Sequence, residues 1–151
     1  MFKVLTWRDI DFASVVLAGL AAGYVMAIGG LWAGKLPGLV SFDIADYGRR
    51  YMVSDRPSAW LLGFASHLAN SILLVFVWAS VIEPNLEWPR PLEGLAWGLF
   101  LALTLAGSII MPLSGVGFMG AKTRSYRLAV TVLLLHSVWG LVIGLVYVPP
   151  R

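Results

Sequence analysis

The sequence predicts an all-α integral membrane protein, in which four transmembrane helices form two tandem αα-hairpin repeats of the same orientation. Three observations predict this fold: an apolar composition, four long uncharged runs and an internal repeat. Of the 151 residues, 59% are hydrophobic and 13% are charged, whereas soluble domains have about 45 to 50% apolar and about 25% charged residues. We therefore expect residues 1–151 to form a single membrane domain.

Each uncharged run is long enough to cross a bilayer as a helix. Successive charged residues enclose runs of 23, 26, 28 and 23 residues, and roughly 20 residues of helix span about 30 Å of hydrocarbon. The first run is longer than the apolar region of a signal peptide, which has about 7 to 15 residues. These runs predict helices at 12–33, 59–82, 92–113 and 128–148.

The connections between these helices carry most of the charges and most of the prolines. In the first connection, Ile44, Tyr47 and Tyr51 recur at helical spacing, with charged residues on the other side. This pattern predicts a short interfacial helix at about 42–53, although a polar loop with incidental aromatic residues fits the segment equally well. Between the second and third helices, the prolines at 84, 89 and 91 predict a stiff turn.

An internal repeat relates the two halves of the chain. Gly19 and Gly23 match Gly94 and Gly98 at an offset of 75 residues, and His67 matches His136 at an offset of 69. The first repeat covers about 12–82 and the second about 92–148. A unit with two crossings returns to its starting side, so its copies run in the same direction. The two histidines are therefore expected at one depth in the membrane.

Charge and composition restrict the location and the partners. Seven basic residues lie in the connections after the first and third helices, against four on the other side, which favours cytoplasmic odd connections and both termini outside. Lys3 and Arg8, just before the first helix, favour the opposite orientation. The few, scattered basic residues argue against nucleic acid as a partner, so lipid and other integral membrane subunits, in a homo- or hetero-oligomer, are expected instead. The absence of cysteine excludes thiolate metal sites and covalently attached haem.

The second predicted helix carries a polar stripe of Ser66, His67, Asn70 and Ser71, which spans about 140° of arc. Such a stripe is expected to face protein, because an intramembrane imidazole needs a partner. His67 and His136 are the only histidines. The resulting hypothesis is a b-type haem between the second and fourth helices, with these two side chains as axial ligands of the iron.

Further residues have expected roles around this haem. Small residues one turn from the two histidines would leave room for a flat group, namely Gly63, Ser71 and Gly140. Arg56 and Arg127 flank the same membrane face and could meet the propionates. A chlorin with histidine-ligated magnesium would leave the same pattern, and buried histidines can also serve only to hydrogen-bond between helices.

The function expected from these residues is that of a small subunit of a larger membrane redox complex, carrying electrons through haem b rather than acting as a stand-alone enzyme. A cofactor-free accessory or assembly subunit that packs through its glycine-rich helix faces is the first alternative. A small transporter is the second, and it is less favoured because the uncharged runs offer no carboxylate or ammonium group to relay ions.

Short motifs resemble one known kind of protein. The repeated Gly-Leu-x-x-Gly helix starts, the segment Met111-Pro112-Leu113-Ser114-Gly115 and the histidine in the second helix of each half resemble small bacterial inner-membrane proteins of the YagU-like kind. The resemblance implies four helices and a location in the bacterial inner membrane, and it implies no activity.

Overall fold

The computed structural model describes residues 2–46 and 56–150, which contain helices and no strands. The long helices are α1 (Phe12–Trp32), α2 (Pro57–Val77), α3 (Arg90–Leu101) and α4 (Arg127–Val146). With their continuations, these helices are long and apolar enough to cross a membrane, over Phe12–Lys35, Pro57–Asn85, Arg90–Leu113 and Arg127–Val146. The prediction of four helices that are long and apolar enough to cross a membrane is thus confirmed within the described residues.

The helix ends follow from local chemistry. α1 begins after Asp11, whose carboxylate accepts a hydrogen bond from the backbone N–H of Ser14 at 3.0 Å, as an N-cap residue does. α2 and α3 each begin two residues earlier than predicted, because a proline in the first helical turn loses no hydrogen bond. α4 ends at Val146, two residues early: Tyr147 already has extended backbone, with φ −66° and ψ 131°.

Two helices continue beyond their α-helical part in a way that the sequence did not predict. α2 is followed by a π-helix over Trp78–Ile82 and a 3₁₀ turn over Glu83–Asn85. α3 is followed by a π-helix over Ala102–Ile110 and a final turn over Met111–Leu113. In this wide segment the hydroxyl of Ser108 donates to the carbonyl oxygen of Leu103 at 2.6 Å, a type of side-chain bond that often bends helices.

The four helices pack in an order that opens a gap between α2 and α3, which are joined beside it where Nε1 of Trp97 donates to the carbonyl oxygen of Leu74 at 3.2 Å. α1 contacts both α2 and α4, and α3 packs along α4. α2 is the least covered helix: only 17% of its most apolar stretch is buried, against 33% to 44% for the other three spans. The gap matters because it opens one side of the bundle.

Glycine brings α3 and α4 into backbone contact. A Cβ atom added to Gly94 would overlap the carbonyl oxygen of Gly140, and one added to Gly98 would overlap the carbonyl oxygen of His136. Small residues four apart allow this close approach in membrane helices, where van der Waals packing drives association. The closely packed α3–α4 pair therefore forms one wall of the gap.

Hydrogen bonds join the chain segments at each end of the bundle. At one end, the backbone N–H of Lys3 donates to Oδ1 of Asn85 at 2.7 Å, and Nη1 of Arg90 donates to the carbonyl oxygen of Tyr147 at 2.8 Å. At the other end, the N–H of Val40 donates to Oγ1 of Thr131 at 3.0 Å. The first connection therefore folds back over the start of α4.

Only the first part of the expected interfacial helix at 42–53 is described. Residues 44–46 are helical, and the remainder of that prediction, with Tyr47, Tyr51, Arg49 and Arg50, lies outside the described residues.

Candidate ligand-binding site

A cavity of about 200 Å³ lies in the gap between α2 and the α3–α4 pair. We call it the imidazole cavity, because both histidines line it. Its wall is mostly apolar, and the polar side chains on it come from α2 and α4. The described lining residues are Met26, Phe42, Ile44, Gly63, Ser66, His67, Asn70, Ser71, Leu74, Leu101, Leu105, Ala106, Ile110, Met111, Val132, Leu135, His136 and Trp139.

The His67 ring is held by the neighbouring helix. Its Nε2 donates to the carbonyl oxygen of Gly23 in α1 at 2.9 Å. A carbonyl oxygen only accepts, so this nitrogen carries the hydrogen, and in the neutral ring Nδ1 carries a lone pair. The side chain is half-buried on the wall of the cavity.

The His136 ring is held within its own helix. Its Nδ1 donates to the carbonyl oxygen of Val132, one turn earlier in α4, at 2.9 Å. The neutral ring then has its lone pair on Nε2. This is the arrangement in which histidine ligands are commonly oriented, with one ring nitrogen bound to a carbonyl and the other left for a metal or a ligand.

Ser71 and Trp139 form a hydrogen-bonded chain across three helices. Nε1 of Trp139 donates to Oγ of Ser71 at 2.7 Å, and Oγ of Ser71 donates to the carbonyl oxygen of Gly19 at 2.7 Å. Ser71 and Trp139 are both buried. The chain joins α4 to α2 and α1 at the inner side of the cavity, and it uses the donor hydrogens of both side chains.

Ser66 and Asn70 line the cavity and are at the same time exposed, so they mark its mouth. They follow the start of α2 at Pro57 by 9 and 13 residues, which at 1.5 Å per residue is about 14 to 20 Å along the helix. The mouth therefore opens near the middle of the span, on the exposed face of α2. The prediction that the whole polar stripe faces protein holds only for its inner part, Ser71 and the half-buried His67.

The structure separates the sequence-predicted site residues into two groups. His67, His136, Gly63 and Ser71 all line the imidazole cavity. Gly140 lies against the backbone of Gly94 instead, where its missing side chain serves helix packing. Arg56 and Arg127 are exposed and are not part of the described wall.

Size and ring orientation decide whether haem fits this cavity as it stands. An engineered cavity of about 150 Å³ holds one benzene molecule, and a porphyrin, with its four linked pyrroles, is several times larger than benzene. In addition, Nε2 of His67 bonds to Gly23, and the remaining Nδ1 lies beside the Cβ atom, where a porphyrin would collide. The ring orientation of His136 suits an axial ligand. The ring orientation of His67 does not, and the cavity is too small for a porphyrin.

A free metal ion has no evident site. Among residues 2–46 and 56–150, no group of three or more histidine, aspartate or glutamate side chains is placed to hold one. The wall of the imidazole cavity is itself mostly apolar, with two imidazoles on it, which suits an organic ligand that the apolar surface would enclose and the imidazoles would hydrogen-bond.

Sequence reasoning missed the third side of the cavity. Leu101, Leu105 and Ile110 supply its apolar wall from α3 and from the π-helix that follows, and nothing distinguishes them from lipid-facing leucines and isoleucines in the sequence. Trp139 was also missed. Its position three residues after His136, on the same face of α4, is the signal that could have identified it.

No protein-family model, curated protein or solved structure matches this chain.

Proposed function

We propose that this chain is a membrane-embedded binding protein, which holds a ring-sized, largely apolar molecule in the imidazole cavity. One observation carries the proposal: two imidazoles from different helices line the same apolar cavity of about 200 Å³ inside a membrane-crossing bundle. Ligand sites are typically apolar and concave, with a few polar groups that orient the ligand. Intramembrane polar residues are costly and mark functional sites.

The volume restricts the ligand to about one six-membered ring with small substituents. This follows from the comparison with the benzene-binding cavity of about 150 Å³. The mouth at Ser66 and Asn70 leaves space for a chain attached to the ring to extend into the bilayer. Molecules with a ring head and a lipid tail are therefore the natural candidates.

Toluene is a suitable probe for the binding itself, because it fills a ring-sized cavity without any polar contact. We expect toluene to raise the melting temperature of the protein in lipid nanodiscs, since a ligand that binds only the folded state stabilises it. The Ala106→Phe variant fills the cavity and should lose this shift. Ala65→Phe, on the exposed face of α2, is the matched control and should keep it. An equal shift in all three proteins would mean that toluene acts through the bilayer, and it would contradict the proposal.

Haem b ligation is a second candidate, which the position of both histidines on one cavity favours. It requires that α2 and α3 move apart and that the His67 ring turns, so that Nε2 leaves the carbonyl of Gly23. In that arrangement His67 and His136 would hold the iron, and the group would supply one-electron chemistry. Electron transfer within a larger membrane complex would then be the role of the chain.

An optical spectrum separates the two candidates. If haem b binds, protein purified after hemin supplementation should show a reducible Soret band and α-band, and both should disappear in His67→Ala and in His136→Ala. A colourless, folded preparation that responds to toluene would contradict the haem candidate and support the ring-sized ligand.

We also propose that the bundle arose from a duplication, with two hairpins that run in the same direction. Equivalent contacts in the two halves support this proposal. In the first half, Gly19 lies against α2 and its carbonyl oxygen binds Ser71, and Gly23 binds His67. In the second half, Gly94 lies against Gly140, and Gly98 lies against His136. The offsets of 75 and 69 residues relate these two sets of pairs.

A bacterial inner membrane, with both termini on the outer side, remains the proposed location. The excess of basic residues in the first and third connections supports this orientation.

A further inference from the structure

The hydrogen bonds of the two histidines determine what the imidazole cavity can offer to a ligand. His67 donates through Nε2 to the carbonyl of Gly23, and His136 donates through Nδ1 to the carbonyl of Val132. Each neutral ring therefore has an acceptor nitrogen left. No hydrogen bond joins Nδ1 of His67 or Nε2 of His136 to another of the described residues.

The other polar groups at the inner side of the cavity offer no free hydrogen-bond donor beside these two acceptor nitrogens. The N–H of Trp139 is bound by Ser71, and the hydroxyl hydrogen of Ser71 is bound by the carbonyl of Gly19. The donors of this inner wall are thus consumed, and what remains at the two imidazoles is acceptors. A ligand with only acceptor atoms, such as an ether or ketone oxygen, gains no hydrogen bond there.

Access to the cavity is from the bilayer. The mouth lies on α2, the least buried span, and Ser66 and Asn70 at the mouth are exposed near the middle of that helix. The hydroxyl of Ser66 and the amide of Asn70 both donate and accept, so they place no further restriction on the ligand. A molecule dissolved in the lipid reaches this opening without passing through water.

We infer that the imidazole cavity selects a lipid-dissolved molecule whose ring carries a hydroxyl group, as in a phenol or a hydroquinone, with the hydroxyl donating to an imidazole nitrogen. This inference rests on the proposed function. Beyond that function, the chemical class of the ligand and the imidazole nitrogens that recognise this ligand are specified. The methylated counterpart of such a ring, whose oxygen has no hydrogen to donate to the imidazoles, binds more weakly.

Phenol, anisole and toluene test this inference, because they are similar in size and differ in donor capacity. Their affinities are measured with the full chain in nanodiscs and corrected for the partitioning of each probe into empty nanodiscs. We expect phenol to bind about five- to tenfold more tightly than anisole or toluene, the effect of about one net hydrogen bond. Of the two variants His67→Phe and His136→Phe, at least one should remove this preference and keep toluene binding. Ser137→Ala, next to His136 but outside the wall, is the control and should keep the preference.

A second measurement uses the unaltered protein, so it does not depend on the folding of a variant. The chain has only two histidines, so the ¹⁵N resonances of its imidazoles can be assigned with ¹⁵N-labelled histidine. Phenol should shift the lone-pair nitrogen of His136 or His67, and anisole should leave both in place. Equal affinity for the three probes, or bound phenol that shifts neither nitrogen, would overturn the inference and leave the proposed function standing. If none of the three probes binds, the proposed function itself fails.

Discussion

The Ser71 hydroxyl holds three helices together through two hydrogen bonds. It accepts from Nε1 of Trp139 in α4 and donates to the carbonyl oxygen of Gly19 in α1, at 2.7 Å in each case. Ser71 is 2% exposed and Trp139 is 3% exposed. Water therefore cannot replace either side chain as a hydrogen-bond partner of the other. Buried donors without a partner cost about 1 to 3 kcal/mol.

We therefore predict that Ser71→Ala lowers the free energy of unfolding by about 1 to 2 kcal/mol, toward the lower end because membrane hydrogen bonds contribute modestly. Reversible unfolding in mixed detergent micelles measures this change. Ser137→Ala is the matched control: its hydroxyl donates only to Leu133 in its own helix, and the change should stay within about 0.5 kcal/mol. Equal losses in the two variants would show that the Ser71 chain does not hold the helices together.

Tyr147 shows the opposite situation, a buried hydroxyl that stabilises nothing. The side chain is 1% exposed, its ring packs edge-on against Trp78 with centroids 5.3 Å apart, and its hydroxyl has no hydrogen-bond partner among the described residues. Burial, with the nearby carboxylates of Glu83 and Asp11, raises the pKa of Tyr147 to about 12. The hydroxyl thus stays protonated at neutral pH.

Tyr147→Phe should therefore leave the free energy of unfolding unchanged or raise it by up to about 1 kcal/mol, because it removes an unpaired polar group and keeps the ring contact. The same micelle assay measures it. A loss greater than about 1 kcal/mol would mean that the hydroxyl has a partner that stabilises the fold.

At the level of elements, the glycine contact between α3 and α4 is the most demanding packing in the bundle. Gly98 faces the carbonyl oxygen of His136, a backbone atom that cannot turn away. We predict that Gly98→Ala lowers the free energy of unfolding by about 2 kcal/mol or more, as overpacking does in tightly packed cores. To make room for the added methyl group, α4 would have to move away from α3 at His136. This movement would displace His136 from the cavity wall, so toluene binding should weaken as well.

Gly29→Ala is the control for this prediction. Its added Cβ atom would meet only the end of the Leu135 side chain, at 3.2 Å, and a side-chain end can move. The variant should stay within about 1 kcal/mol of the original protein, helped by the better helix propensity of alanine. If Gly98→Ala is tolerated as well as Gly29→Ala, the close α3–α4 contact is wrong.

Sequence patterns predicted where the helices lie better than which kind of helix each span contains. Hydrophobic run length predicted all four helices, and the prolines explain why α2 and α3 begin early. The π-helices over Trp78–Ile82 and Ala102–Ile110 have no comparable signal, since a wide turn depends on how neighbouring helices pack. The same limit applies to the site. His67 and His136 could be identified because they are the only histidines and occupy equivalent positions in the repeat. The hydrogen bond between Trp139 and Ser71 depends on which faces of α2 and α4 meet in space.

For the whole molecule, the proposed orientation can be tested with introduced cysteines, because the natural sequence contains none. Glu87→Cys and Ala121→Cys place single exposed thiols in the second and third connections. We predict that a membrane-impermeant maleimide labels Glu87→Cys in intact spheroplasts, and Ala121→Cys only after lysis. The reverse pattern would contradict the orientation, and labelling of both thiols from one side would contradict the number of crossings between them.

We propose that the bundle as a whole encloses a saturable cavity between α2 and the α3–α4 pair. Photolabelling with a phenyl diazirine tests it most directly, because the probe is ring-sized and dissolves in the bilayer. We predict labels within 63–74 and 132–139 that excess toluene removes, beside lipid-facing labels that toluene leaves in place. Labels that toluene does not reduce anywhere, or none within these two segments, would contradict it.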